Sequence, residues 1–136
     1  MPPLTKNEML EIFFDPSGQA EGSYYQIALD LSGARQGYVN SASRWDMPGV
    51  KTAVAEGPDF WSAEVFIPFS AIRDFDGVQI PTTAAGSCFW IGNVSRIRVG
   101  PRADKKKPWE IHRLFTRFSK WNKDQSAFGK FVFKEW

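Results

Sequence analysis

The chain has 136 residues, 43% hydrophobic and 24% charged, which suits one domain with its own core and excludes wholesale disorder. No apolar run reaches the ~20 residues of a membrane-crossing helix. The lone Cys88 excludes an internal disulfide, and with the lone His112 it excludes a four-ligand Cys/His zinc site. The formal charge of +2 conceals an asymmetry: segment 96–123 holds ten basic and two acidic residues, a local +8 that leaves −6 on the remainder.

In chain order, residues 1–7 are expected to be a flexible segment, and the opening MPPLTKNEML lacks the charged and apolar regions of a signal peptide. Glu11–Asp15 reads as an apolar strand ending in the turn Asp15-Pro16-Ser17-Gly18. Tyr24–Leu31 alternates, with Tyr25, Ile27, Leu29 and Leu31 on one face and Gln26 and Asp30 on the other. Residues 40–49 form a long loop. Val50, Thr52 and Val54 share a face in the next strand. Trp61, Ala63, Val65 and Ile67 share one in the strand after the Gly57-Pro58-Asp59 turn. One helical turn follows Pro68, with Ser70 as its N-cap.

After a second long loop over 74–86, Phe89–Val99 is a long strand. It sets Phe89, Ile91, Asn93, Ile97 and Val99 against Trp90, Val94, Arg96 and Arg98. A third loop covers 100–111, and a last strand alternates Gly129, Phe131 and Phe133 with Lys130, Val132 and Lys134. Short strands punctuated by turn residues predict an all-β, antiparallel, jelly-roll-like β-sandwich forming a single domain over residues 1–136. No internal repeat is evident.

Several segments together resemble family 9 carbohydrate-binding modules. They are Glu11–Pro16 with Tyr24–Ile27, Val50–Val54, Trp61–Ser70, Asn93–Arg98, Phe118-Ser119 and Phe128–Phe133, in that order. The resemblance implies an antiparallel sandwich that binds sugar chain ends, such as those of xylan or cellulose, between aromatic side chains. It implies no catalysis, and an extracellular or periplasmic setting. Family members carry further strands before the segment matching Glu11–Asp15, where here about ten residues stand. An uncovered sheet edge of that kind favours a homodimer.

A pyranose has apolar C–H faces and a hydroxyl rim, so its site needs flat aromatic platforms and planar hydrogen-bonding side chains. Trp121, in Lys120-Trp121-Asn122, resembles in its setting the stacking tryptophan of the family. Trp45, in the loop Ser43–Met47, is the candidate for the second platform, whereas Trp61 and Trp90, inside strands, are expected in the core. Arg96, Arg98, Asn93 and Glu64 are the polar candidates. A structural alternative pairs Glu64 with Arg96 or Arg98 across strands.

A structural calcium, suggested by the resemblance, would draw on Asp15, Ser17 and Gly18 or on Asp74 and Asp76. Neither set alone reaches the six to eight oxygens that calcium takes. Haem would require Met47 and His112 as axial ligands. No carboxylate spacing marks a glycosidase pair, although Glu64 with Asp46 or Asp59 supplies the residue types. The other binding class is a polyanion or nucleic acid on the basic 96–123 stretch, with Trp109, Phe115, Phe118 and Trp121 interleaved. No nucleic-acid motif accompanies it, so nucleic acid and membrane are not the expected partners.

Overall fold

Period-two alternation in the sequence is realised as strands throughout the computed structural model, which describes residues 8–18, 20, 23–72, 89–99, 109–113 and 125–133. The strands are β1 (Glu8–Asp15), β2 (Tyr25–Asp30), β3 (Arg35–Val39), β4 (Ser43–Arg44) and β5 (Lys51–Glu56). They continue with β6 (Trp61–Phe66), β7 (Phe89–Val99), β8 (Trp109–Arg113) and β9 (Gly129–Val132). Among the described residues a seven-stranded sheet runs β4-β3-β2-β1-β7-β8, with β9 also paired to β7, and a β5-β6 hairpin forms a second sheet. Every pairing is antiparallel. The protein is an all-β sandwich.

β7 is long enough to be shared: Phe89–Gly92 pairs β9 and Ser95–Val99 pairs β8. β1 is hydrogen-bonded on both sides, to β2 and β7, so the first described strand is not an uncovered edge.

Both ends of the β1-β2 pair close with the same local chemistry. Asp15-Pro16-Ser17-Gly18 follows β1, and Asp30-Leu31-Ser32-Gly33 follows β2. In each, the aspartate Oδ1 accepts from the serine backbone N–H (2.9 Å) and hydroxyl (2.6 Å) two residues on. The glycine takes a positive φ, 70° at Gly18 and 87° at Gly33, a conformation that glycine adopts without steric penalty. Both aspartates are fully buried, which such satisfied carboxylates tolerate. The second oxygen of Asp15 accepts from Gln125 Nε2 at 3.0 Å. Asp15, among the residues that the expected calcium would draw on, accepts hydrogen bonds from Ser17 and Gln125. Asp74 and Asp76 lie outside the described residues. No group of three His, Cys, Asp or Glu gathers among the described residues to hold a metal.

The core lies between the two sheets. Phe14 stacks on Tyr25 at 5.2 Å and on Trp90 at 5.3 Å, and Trp45 meets Tyr25 edge-on at 4.8 Å. Ile27, Val39, Met47, Val50, Ala71 and Ile72 complete the buried cluster, with Ile12, Val65, Ile67, Phe69, Phe131 and Phe133 packed around it. Burying each large side chain contributes about 1.5–3 kcal/mol. Two glycines make the packing possible. A Cβ at Gly92 would lie 2.3 Å from the Phe13 carbonyl oxygen and 2.4 Å from the Phe131 ring. At Gly37 one would meet Met47 Cγ at 2.6 Å and the Trp45 carbonyl at 2.7 Å.

The expected helical turn is a 3-10 turn, Phe69–Ile72, closed by Ala71 N–H on the Pro68 carbonyl at 2.9 Å. Ser70 therefore lies inside it rather than capping it. Strands β3, β4 and β8 occupy regions that the sequence left without strands. Segment 1–7, the loops over 74–86 and 100–108, Cys88 and Trp121 lie outside the described residues.

Candidate binding cleft

Cross-strand register grades the inner face of β1 and β7 from apolar to charged. The successive partners are Phe14 with Gly92, Ile12 with Val94, Leu10 with Arg96 and Glu8 with Arg98. At the apolar end the face is sealed by the aromatic cluster. At the charged end the β5-β6 hairpin stands over it and leaves a cleft of about 480 Å³. The large sheet contributes Glu8, Leu10, Leu31 and Arg96, and the hairpin contributes its tip, Glu56–Trp61, and Ala63.

Alternation turns Trp61, Ala63 and Val65 inward and leaves Ser62, Glu64 and Phe66 exposed. Trp61 closes the hairpin opposite Glu56, and it is partly exposed at the mouth of the sandwich. The tip is a tight loop in which Gly57 N–H donates to the Phe60 carbonyl at 2.7 Å. The Phe60 ring folds against Gly57, where a Cβ would lie 2.3 Å from it, yet the residue remains 63% exposed. Two neighbouring aromatics thus border the cleft.

Glu8 organises the polar side. Arg96 donates to both its oxygens, Nε to Oε2 at 3.0 Å and Nη2 to Oε1 at 2.9 Å, in the fork geometry that suits a carboxylate. Arg98 Nε stands 3.7 Å from Oε1. The hydrogen bond from Arg96 holds the Glu8 carboxyl below its ordinary range, against partial burial. The charge of Arg96, the nearby Trp61 side chain and the charge of Arg98 pull in the same direction. The side chain of Glu8 is 18% exposed, that of Arg96 45%. The cleft therefore combines an ion pair, a partly exposed indole, and the exposed carboxylates Glu56 and Asp59.

Of the residues singled out from sequence, Arg96 lines this cleft and Arg98 lies beside it on the same strand face. Their carboxylate partner is Glu8, not Glu64, which is exposed on the outer face of β6. Asn93 is on the opposite face of β7 from the arginines and is fully buried, with its Nδ2 donating to Ser95 Oγ at 3.4 Å. It is not a rim residue. Trp45 is a core residue at 8% exposure, its indole N–H donating to the Ala71 carbonyl at 3.3 Å, so it is not an exposed platform. Met47, the haem candidate, is likewise packed in the core. Arg96 and Arg98 apart, the side chains of the basic stretch lie outside the described residues.

A second cleft, of about 620 Å³, opens at the other end of the sandwich between Asn40, Ser43, Arg44, Asp46 and Pro48. The tryptophan bordering it is the buried Trp45, and its Arg44 lies over the Tyr38 ring at 5.8 Å. It offers polar groups but no exposed tryptophan face. Sequence reasoning missed Glu8, Phe60 and Trp61 as site residues. The available signal was the pair of aromatics placed directly after a Gly-Pro-Asp turn, which puts them at a hairpin tip.

Compared with known proteins, the chain matches no family model, no curated protein and no solved structure.

Proposed function

We propose that the chain is a non-catalytic carbohydrate-binding module similar to those of family 9, holding a polysaccharide or oligosaccharide chain end in the cleft beside Trp61. The observation that carries this reading is a partly exposed indole that lines one open cleft together with the hydrogen-bonded Glu8–Arg96 pair. A pyranose C–H face stacks on such an indole, and the hydroxyl rim finds acceptors in Glu56 and Asp59 and donors in Arg96. Phe60, 63% exposed beside Trp61, adds apolar contact. Trp121 is kept as a second platform on the strength of the resemblance.

The test is a tryptophan-fluorescence titration with xylo- and cello-oligosaccharides at low and high salt, repeated on Trp61→Ala and Trp121→Ala. The reading expects a saturable change that salt leaves intact and that Trp61→Ala abolishes. No response to any neutral oligosaccharide would overturn it.

A further inference from the structure

We infer that Glu8 is the specificity-determining residue of this cleft: by engaging Arg96 and Arg98 it makes the site accept uncharged saccharides and reject anionic ones such as uronic-acid oligomers. The inference rests on the sugar-binding reading and adds the charge class of the ligand.

Arg96 and Arg98 project from one face of β7 two residues apart, Arg96 lining the charged end of the cleft and Arg98 lying beside it. Two guanidinium groups so placed are the ordinary means of gripping a carboxylate. Glu8 stands across the strand pair at the register position of Arg98 and takes both fork positions of Arg96, at 2.9 and 3.0 Å. A uronate carboxylate would have to displace an intramolecular carboxylate that is already aligned on the guanidinium and partly shielded from water. Glu56 and Asp59 on the facing hairpin add like-charge repulsion. A neutral sugar meets neither obstacle, since an uncharged hydroxyl does not compete with a carboxylate for the guanidinium and is not repelled by Glu56 and Asp59. The rejection is built by an internal competitor, as specificity often requires.

The substitution Glu8→Gln keeps the shape while removing the charge. Wild type, Glu8→Gln and Glu8→Gln/Arg96→Gln are titrated calorimetrically with cellohexaose, xylohexaose and trigalacturonate at low and high salt. The expected result is that wild type binds a neutral oligosaccharide and not trigalacturonate. Glu8→Gln gains trigalacturonate affinity by about tenfold or more, high salt removes the gain, and the double variant lacks it. Should Glu8→Gln fail to fold, Glu8→Thr carries the same expectation with a residue suited to a strand.

If wild type binds neutral sugars and the single variant gains nothing for the anion, the inference falls and the sugar-binding reading stands. The inference falls equally if wild type binds trigalacturonate as well as neutral sugars. If wild type binds no neutral sugar but Glu8→Gln acquires salt-sensitive anion binding through Arg96, the reading falls and the gate at Glu8 stands. Absence of binding in every arm overturns both.

Discussion

At the Phe14 end of β1 the inner sheet face carries Phe14, Tyr25 and Trp90 stacked ring on ring, with Trp45 edge-on against Phe14 and Tyr25. At the Glu8 end, six residues along the same strand, the same face carries Glu8, Arg96 and Arg98 beneath an open hairpin tip. Tryptophan serves both ends but differently. Trp45 gives its N–H to a backbone carbonyl in the core, whereas Trp61 is partly exposed and lines a cleft. What separates the two environments is what covers the face. The apolar end lies beneath Val50, Val65, Ile67 and the Phe69–Ile72 turn, and the charged end lies beneath the hairpin tip alone. Position along the strand, more than residue type, decides which tryptophan is available to a ligand.

The sharpest way to break this contrast is Trp45→Ala. It removes a side chain that meets Phe14 and Tyr25, and core truncations of this size cost about 3–5 kcal/mol. Urea unfolding of the variant should show that loss, and retained stability with altered sugar affinity would return Trp45 to the role of a platform. Next in size is Gly92→Ala, where the new methyl is driven onto the Phe13 carbonyl as well as the Phe131 ring. Backbone cannot yield as a side chain does, so a loss of about 2–3 kcal/mol is expected, and an unchanged melting temperature would show that the sheet accommodates it. At the cleft end the expected balance inverts. Trp61→Ala should lower stability by only about 1 kcal/mol, because the ring is partly exposed, while abolishing the fluorescence response to oligosaccharide. A large stability loss with binding intact would make Trp61 a core residue after all.

The sequence carried the sandwich well where alternation was strong. In β5, β6 and β9 the faces expected to be inward are the less exposed ones, and β2 buries Tyr25, Ile27 and Leu29 as its pattern requires. It did not reveal β3, whose Arg35-Gln36-Gly37-Tyr38-Val39 lacks an apolar face because Gly37 yields its place to Met47. Nor did it reveal β8, whose strand begins at Trp109, directly after a charged and proline-bounded run. The candidate site was half legible. Arg96 and Arg98 stood out as charges in a strand, but their partner Glu8 is about ninety residues distant in sequence, and only the β1-β7 register brings them together. Equating loops with exposure and strands with burial misplaced both Trp45, which is buried, and Trp61, which is partly exposed. A loop can fold under the sheet, and a strand residue beside a turn can stand at its mouth.

The smallest expected effect tests the charged end by itself. Glu8 has a carboxyl held below its ordinary value of 4.5 by Arg96, so the folded state binds its proton less readily than the unfolded chain does. A depressed acid contributes stability that is fully present above the unfolded value and is lost as pH falls through the folded one. The pair is largely exposed on its arginine side, and such pairs contribute at most about 1 kcal/mol. Glu8→Gln has no group to titrate at this position. The stability of wild type minus that of the variant should therefore hold constant from neutral pH down to about pH 5 and shrink toward zero at lower pH. Denaturant melts of both proteins across that range measure the difference directly. A gap that instead widens in acid would mean that the Glu8 carboxyl is raised by burial, and that the arginines face the cleft rather than their glutamate.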